Sequence, residues 1–312
     1  SGVGVGDYLR QGALSVSGIS PHMLLYVFLP PLIFESAFSL NWHLFRRSLV
    51  QVLLLAVPGI LLASFLTAAA TILIYPAWNW AGALLFGVIV SATDPVAVVA
   101  ILKKTGGHPS LRTLVEGESL VNDGTAVVCF SILLSVVQSG GDTSISAGTA
   151  LVTFVRMAVG GSLFGFGMSV LSVCWTGLVF NQPLIEISIP LAMAYMTFFI
   201  AEALLGVSGV LSVVVFGLHY GAVGRTHISP EVEEYLNEFW EMLAHIANTV
   251  VFILSGVIMA RRFLLLSVGV RDVGWLVVLY FVVTLIRGAM VASFSPALRG
   301  SGYGLTMAKA LL

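Results

Sequence analysis

The sequence predicts an all-α polytopic membrane protein, and three observations carry that expectation. Of 312 residues, 58% are hydrophobic and only 9% are charged, against about 25% charged in an ordinary soluble domain. The apolar runs are long enough to cross a hydrocarbon core about 30 Å thick, which takes about 20 helical residues. None of them alternates with the dyad period of a barrel strand, and an open sheet edge cannot be satisfied in hydrocarbon.

Short polar or Gly/Pro segments divide the chain into nine spans, at 21–40, 48–76, 80–102, 114–138, 147–180, 184–203, 206–224, 231–260 and 271–298. A tenth begins near Tyr303, and because the chain closes at Leu312 inside an apolar run it reads as a fragment of about nine to ten helices. The first span carries Leu29-Pro30-Pro31-Leu32-Ile33-Phe34 ahead of Glu35, and the proline pair is expected to disrupt its helix. In the third, Ser91-Ala92-Thr93-Asp94-Pro95-Val96 sits at mid-span. Pro95 has no N–H and its ring meets the Ser91 carbonyl, so the helix should unwind near Thr93 and release carbonyl oxygens. Carbonyls released beside an Asp make a cation site, a device tolerated at membrane depth only where backbone lines a cavity. The simpler alternative is a proline kink with Asp94 capping the second half-helix.

The fourth span holds Glu116-Gly117-Glu118-Ser119-Leu120-Val121-Asn122-Asp123-Gly124. Glu118 and Asn122 are i,i+4 neighbours, as are Ser119 and Asp123, so one broad face offers two carboxylates, a hydroxyl and an amide. Such a face needs a counter-charge or a captured ion, although polar glue between helices is the plainer reading. Gly117 and Gly124 should let neighbouring helices approach closely. In the later spans Arg156 is placed to snorkel, Glu186 and Glu202 are network members or lie near span ends, and His219 and His245 are satisfied core or interface histidines. The eighth span opens with Glu231, Glu233, Glu234, Glu238 and Glu241, most simply a solvated face at a helix start. Arg287 in the ninth has no acidic neighbour in sequence and needs a partner from another helix.

Charge balance removes other classes. Fourteen Lys and Arg against fifteen Asp and Glu give a formal net charge of -1, with no basic excess to hold a nucleic acid backbone. Cys129 and Cys174 lie in apolar runs, so neither a disulfide framework nor a thiolate metal site is indicated. No phosphate loop, haem signature or metal-spaced His/Cys set is present, and no cofactor is expected. Residues 1–6 alternate Gly and Val and do not form a basic signal-peptide start. Arg46, Arg47, Lys103, Lys104, Arg112, Arg225 and Arg299 fall in alternate loops, against Arg10, Arg261, Arg262 and Arg271 opposite, which votes for the first set being cytoplasmic.

The order Leu29-Pro30-Pro31 to Glu35, then Ser91-Ala92-Thr93-Asp94-Pro95-Val96, then Gly117-Glu118-Ser119 to Asn122-Asp123-Gly124 resembles the sodium/proton exchangers of the cation:proton antiporter superfamily, in its eukaryotic and NhaP branches. Phe239-Trp240-Glu241-Met242, Asn248-Thr249 and Phe252-Ile253-Leu254-Ser255-Gly256 are most similar to the plasma-membrane salt-tolerance exchangers of plants and algae. The resemblance runs over almost the whole chain, residues 1–312. It implies an NhaA-like fold of inverted repeats with discontinuous helices, a dimerisation part and a mobile core, in a homodimer of the plasma membrane. It also implies that Asp123 binds the ion and the proton, with Asp94, the Thr93 carbonyl and Ser119 as further Na⁺ ligands. Asn122 resembles the residue that steadies the crossover, Glu35 an acid acting through water, and Arg287 the arginine that pairs with Glu118. The family's earlier helices and a later broken helix of Gly-Leu-Arg-Gly type are missing from this sequence, so the expectation applies to the full-length protein.

The expected function is secondary antiport, not enzymatic: electroneutral exchange of one Na⁺ or Li⁺ for one H⁺, the two competing for a single buried carboxylate at Asp123. Oxygen ligands suit such hard cations. A K⁺-preferring antiporter or channel on the same scaffold, and a non-transporting sensor or partner subunit, are the alternatives.

Overall fold

Helix ends in this chain fall where the sequence supplies caps or proline. The Asn41 side chain accepts from the N–H groups of His43 and Leu44, Asn79 accepts from Gly82, and Ser208 from Leu211, each satisfying first-turn donors that a helix leaves open. Pro109, Pro183 and Pro230 occupy first helical positions, where the missing N–H costs nothing.

The computed structural model describes residues 21–106, 108–138, 147–265 and 269–300. The tenth span near Tyr303 and Arg10 lie outside the described residues. In chain order the elements are α1 (Pro21–Ser39), α2 (Trp42–Leu54), a π-turn at Leu55–Gly59, α3 (Ile60–Ile74), α4 (Trp80–Ser91), α5 (Val96–Lys104), α6 (Pro109–Gln138), α7 (Ala147–Thr176), α8 (Pro183–Phe199) with a π-turn at Ile200–Leu205, α9 (Gly209–Val223), a 3₁₀ turn at Gly224–His227, α10 (Pro230–Leu265) and α11 (Val270–Gly300). Among the described residues there is no strand. Six helical stretches are long and apolar enough to cross a membrane: Trp42–Ile74, Pro109–Gln138, Gly148–Thr176, Pro183–Leu205, Pro230–Phe263 and Val270–Leu298. The protein is a multi-pass membrane protein; Met23–Ser39 of α1 and Trp80–Ser91 are shorter apolar helices.

One sequence expectation fails at α1. The proline pair does not disrupt it: Pro30 and Pro31 sit inside a continuous helix and are buried. The N–H that Pro31 lacks would have served the Val27 carbonyl four residues back. That carbonyl is taken instead by the Tyr195 hydroxyl of α8, which donates to it at 2.8 Å.

Two groups of helices pack around α6. In the first, α9 lies against α1 and α7, with α8 and α10 alongside. Its core is aromatic: the Phe34 ring is 4.3 Å from that of Trp240 and 5.2 Å from that of Phe216, and Phe34, Phe38, Phe216, Tyr220 and Trp240 are all buried. On α10, Val232, Leu236, Trp240, Ala244 and Ala247 form the buried stripe, while Glu231, Glu234, Glu238 and Glu241 are exposed, so the acidic segment is the wet face of an amphipathic start. Arg225 fixes this corner, donating to the Phe38 carbonyl at 3.0 Å, lying 4.5 Å from the Phe38 ring centroid and reaching Glu233 at 3.7 Å.

The second group comprises α2 to α6 and α11. A Cβ on Gly87 of α4 would collide with the Ser64 carbonyl of α3, so that pair is at backbone contact. Gly117 of α6 faces the Phe45 ring of α2, where an added Cβ would stand 2.8 Å away, and Gly124 faces Leu211 of α9. Both glycines therefore allow the close approach their sequence positions suggested.

Candidate cation site at a broken helix

The site is built from a gap in one helix and the middle of the next. α4 stops at Ser91; Ala92 is extended, with φ -70° and ψ 125°, and α5 begins at Val96 after Pro95 at φ -87° and ψ 2°. Pro95 excludes the Ser91 carbonyl from the helical ladder and disfavours helical backbone at Asp94. The sequence placed the break at Thr93, and that is where it falls.

α6 runs alongside with its polar sequence at the level of this gap. The Ser119 hydroxyl donates to the Thr93 carbonyl at 3.0 Å. Its proton is thereby committed, and the lone pairs of the same oxygen stay available to a cation. Asn122 is 1% exposed, and its Oδ1 meets no donor among the described residues. Glu118, 7% exposed, takes both contacts of one Arg287 nitrogen, at 3.1 and 3.3 Å. Arg287, which lacked a partner in sequence, finds it on α6.

Asp123 departs from expectation. It is exposed, the one such position on α6 between Ser110 and Leu134. Part of its surface is open, while burial among neighbouring atoms still acts on its carboxyl. Helical geometry supplies the reason for the exposure: at 100° per residue, position 123 points between the direction of Ser119, turned to the break, and that of Gly124, turned to α9. Asp94 is exposed as well. Asp94 and Glu118 lie close enough for their charges to act on Asp123. The chemistry available around the break is that of hard oxygen donors: two carboxylates, a hydroxyl and a backbone carbonyl.

Glu35 keeps different company. It is half-buried, receives a long contact from the Ser36 hydroxyl at 3.5 Å, and the charges acting on it are those of Glu241, Lys103 and Glu116. Glu116 is itself paired with Arg112 at 2.9 Å. The remaining acids are structural. Glu186 is fully buried and accepts from the N–H groups of Gln182 and Ser229 and from the Ser229 hydroxyl. Glu202 accepts from the Gly209 N–H at 2.9 Å and so caps α9. Arg156 is exposed, and His219 bonds the Ser169 hydroxyl at 2.9 Å. Sequence reasoning overlooked Gln51, whose buried amide donates to the Leu298 carbonyl at 2.8 Å and ties α2 to α11; a lone amide in an apolar run was the available signal.

Comparison with known proteins returns one family. The family described as sodium/hydrogen exchanger, transmembrane, matches residues 1–312. Sodium/hydrogen exchanger 7 of Arabidopsis thaliana is 39% identical over 94% of this chain and 26% of its own length, and sodium/hydrogen exchanger 8 of the same plant is 39% identical over 97% of this chain and 40% of its own. The Na⁺/H⁺ antiporter ApNhaP of Aphanothece halophytica is 39% identical over 76% of this chain and 45% of its own length. The chain thus spans less than half the length of these curated relatives. In fold it matches the solved structure of the sodium proton antiporter MjNhaP1 from Methanocaldococcus jannaschii at pH 8, with a TM-score of 0.77 and 18% identity, over 98% of this chain and 71% of that one.

Proposed function

The chain belongs to the sodium/hydrogen exchanger family, and on that premise we propose that it forms the ion-carrying part of a secondary antiporter exchanging Na⁺ or Li⁺ for H⁺. The observation that carries this reading is Asp123, the one exposed position along the middle of α6, together with a helix break whose Thr93 carbonyl accepts from Ser119. In the proposed bound state Asp123, Asp94, the Ser119 hydroxyl and the Thr93 carbonyl surround the cation. Asn122 steadies the site from its buried position. Glu118 and Arg287 neutralise each other, so the guanidinium does not occupy the cation's place.

Coupling follows from one carboxylate serving two ligands. Asp123 is neutralised by Na⁺ or by a proton, and an unneutralised carboxylate carried through the barrier costs several kcal/mol more than either complex. Uncoupled leak is suppressed electrostatically, and alternating access needs no further lock. A single acid after Asn122 makes the exchange one for one and electroneutral. Glu35, among the charges of Glu116 and Lys103, acts on the approach to the site through water. The working protein is proposed to be a homodimer in the plasma membrane, with the loops of Arg46, Lys103 and Arg225 on the cytoplasmic side.

The test is Na⁺-driven pH change in proteoliposomes holding the full-length protein. Asp123→Asn is expected to reduce exchange at least about 100-fold, and clamping the potential with valinomycin to leave the wild-type rate unchanged. Robust exchange by Asp123→Asn would refute the reading. A wild-type rate that follows the imposed potential would refute electroneutrality, and K⁺ competition equal to that of Na⁺ would change the substrate.

A further inference from the structure

At the break, α3, α4 and α11 line a small cavity of about 20 Å³. Thr67, Ser91, Thr93 and Arg287 line it with the apolar residues Ala63, Val90, Val283 and Ile286. Thr67 is 0% exposed and Ser91 6%, and neither hydroxyl has a hydrogen-bond partner among the described residues. Ser48, Ser64 and Ser172 also bury unpartnered hydroxyls, but none of these lines the cavity. Thr71, Thr125 and Thr197 each donate back to the carbonyl four residues earlier, at 2.6 to 2.9 Å, as buried helical hydroxyls generally do. Two orphan hydroxyls lining one cavity are costly, at about 1–3 kcal/mol each, unless something else satisfies them.

The geometry points to a water site in this cavity that acts as a strut, joining the Thr67 and Ser91 hydroxyls to the free carbonyl end of α4 and so positioning the Thr93 carbonyl. The volume admits one water, which needs roughly 10–15 Å³ and two to four polar partners. The last carbonyls of α4 lie beyond its hydrogen-bond ladder and supply acceptors. A cation is excluded because the Arg287 guanidinium forms part of the wall. An anion gains little, because Glu118 already neutralises that guanidinium. Thr67 is thereby a positioning residue for cation binding, although it stands on a helix that contributes no ligand. This role rests on the reading of the break as the cation site; the water site itself does not.

Two measurements on the full-length protein separate these levels. X-ray radiolytic footprinting oxidises side chains beside ordered water. In the wild type it is expected to label Val283 or Ile286, and in Thr67→Val, which keeps the shape and removes the hydroxyl, to label them at least about threefold less. No labelling in the wild type, or equal labelling in the variant, overturns the water site. In proteoliposomes Thr67→Val is expected to raise the apparent KM for Na⁺ about fivefold, the equivalent of one hydrogen bond, with Vmax and melting temperature unchanged and with recovery in Thr67→Ser. Loss of the footprint with no change in KM overturns the positioning role. Exchange surviving in Asp123→Asn would remove the cation reading while leaving the footprint result in force.

Discussion

At Pro31 and at Pro95 the chain loses the same backbone N–H, yet α1 runs on through Pro31 while the helix carrying Pro95 divides into α4 and α5. The difference lies in what surrounds the carbonyls. Around α1 the packing is aromatic and apolar, and one hydroxyl, that of Tyr195, is aimed at the carbonyl Pro31 leaves without a donor. Around Pro95 an acid precedes the proline, and a serine on the neighbouring helix donates to the Thr93 carbonyl, two residues beyond the Ser91 carbonyl that the proline frees. Proline frees a carbonyl in both places. At Val27 a donor takes the freed carbonyl itself and the helix runs on; near Pro95 the donor reaches the Thr93 carbonyl, not the freed one of Ser91, and the helix divides.

Ser119→Ala probes the second region and carries the largest effect of this series. It removes the donor on the Thr93 carbonyl and one proposed ligand, and is expected to raise the apparent KM for Na⁺ about tenfold or more; an unchanged KM in proteoliposomes would detach the break from ion binding. Tyr195→Phe probes the first region. It leaves the Val27 carbonyl without its donor and is expected to cost about 1–3 kcal/mol of stability, read as a lower melting temperature in detergent, with the Na⁺ KM unchanged. The smallest effect sharpens the comparison. Pro31→Ala restores the helical N–H and is expected to shift stability by less than about 1 kcal/mol, while absorbing most of the Tyr195→Phe loss in the double variant. Additive losses would mean that Tyr195 serves α1 in some other way.

The two regions also differ in how much the sequence disclosed. The spans were legible because hydrocarbon demands long apolar runs, and the break at Thr93 was legible because Asp-Pro at mid-span is a local signal. That neighbours come close at Gly117 and Gly124 followed from residue size, but that they are Phe45 and Leu211 did not. Continuity through Pro31 was illegible: its cause, Tyr195, lies 168 residues from the carbonyl it serves. The exposure of Asp123 was hidden for a related reason, since the directions of α9 and of the break around α6 are tertiary facts. The Gln51 bond to Leu298 and the orphan hydroxyls of Thr67 and Ser91 likewise depend on which helices meet. The roles assigned to Asn122 and Glu35 came from family resemblance, and the geometry gives their positions alone.

The central claim is that one carboxylate, at Asp123, holds either the alkali cation or the proton. The direct measurement is the apparent KM for Na⁺ as a function of pH in proteoliposomes, at saturating and limiting Na⁺. Competition at one site predicts a KM that climbs about tenfold for each unit of acidification once the proton is the favoured occupant, with Vmax at saturating Na⁺ constant. A KM independent of pH, with acidification lowering Vmax alone, would contradict the account.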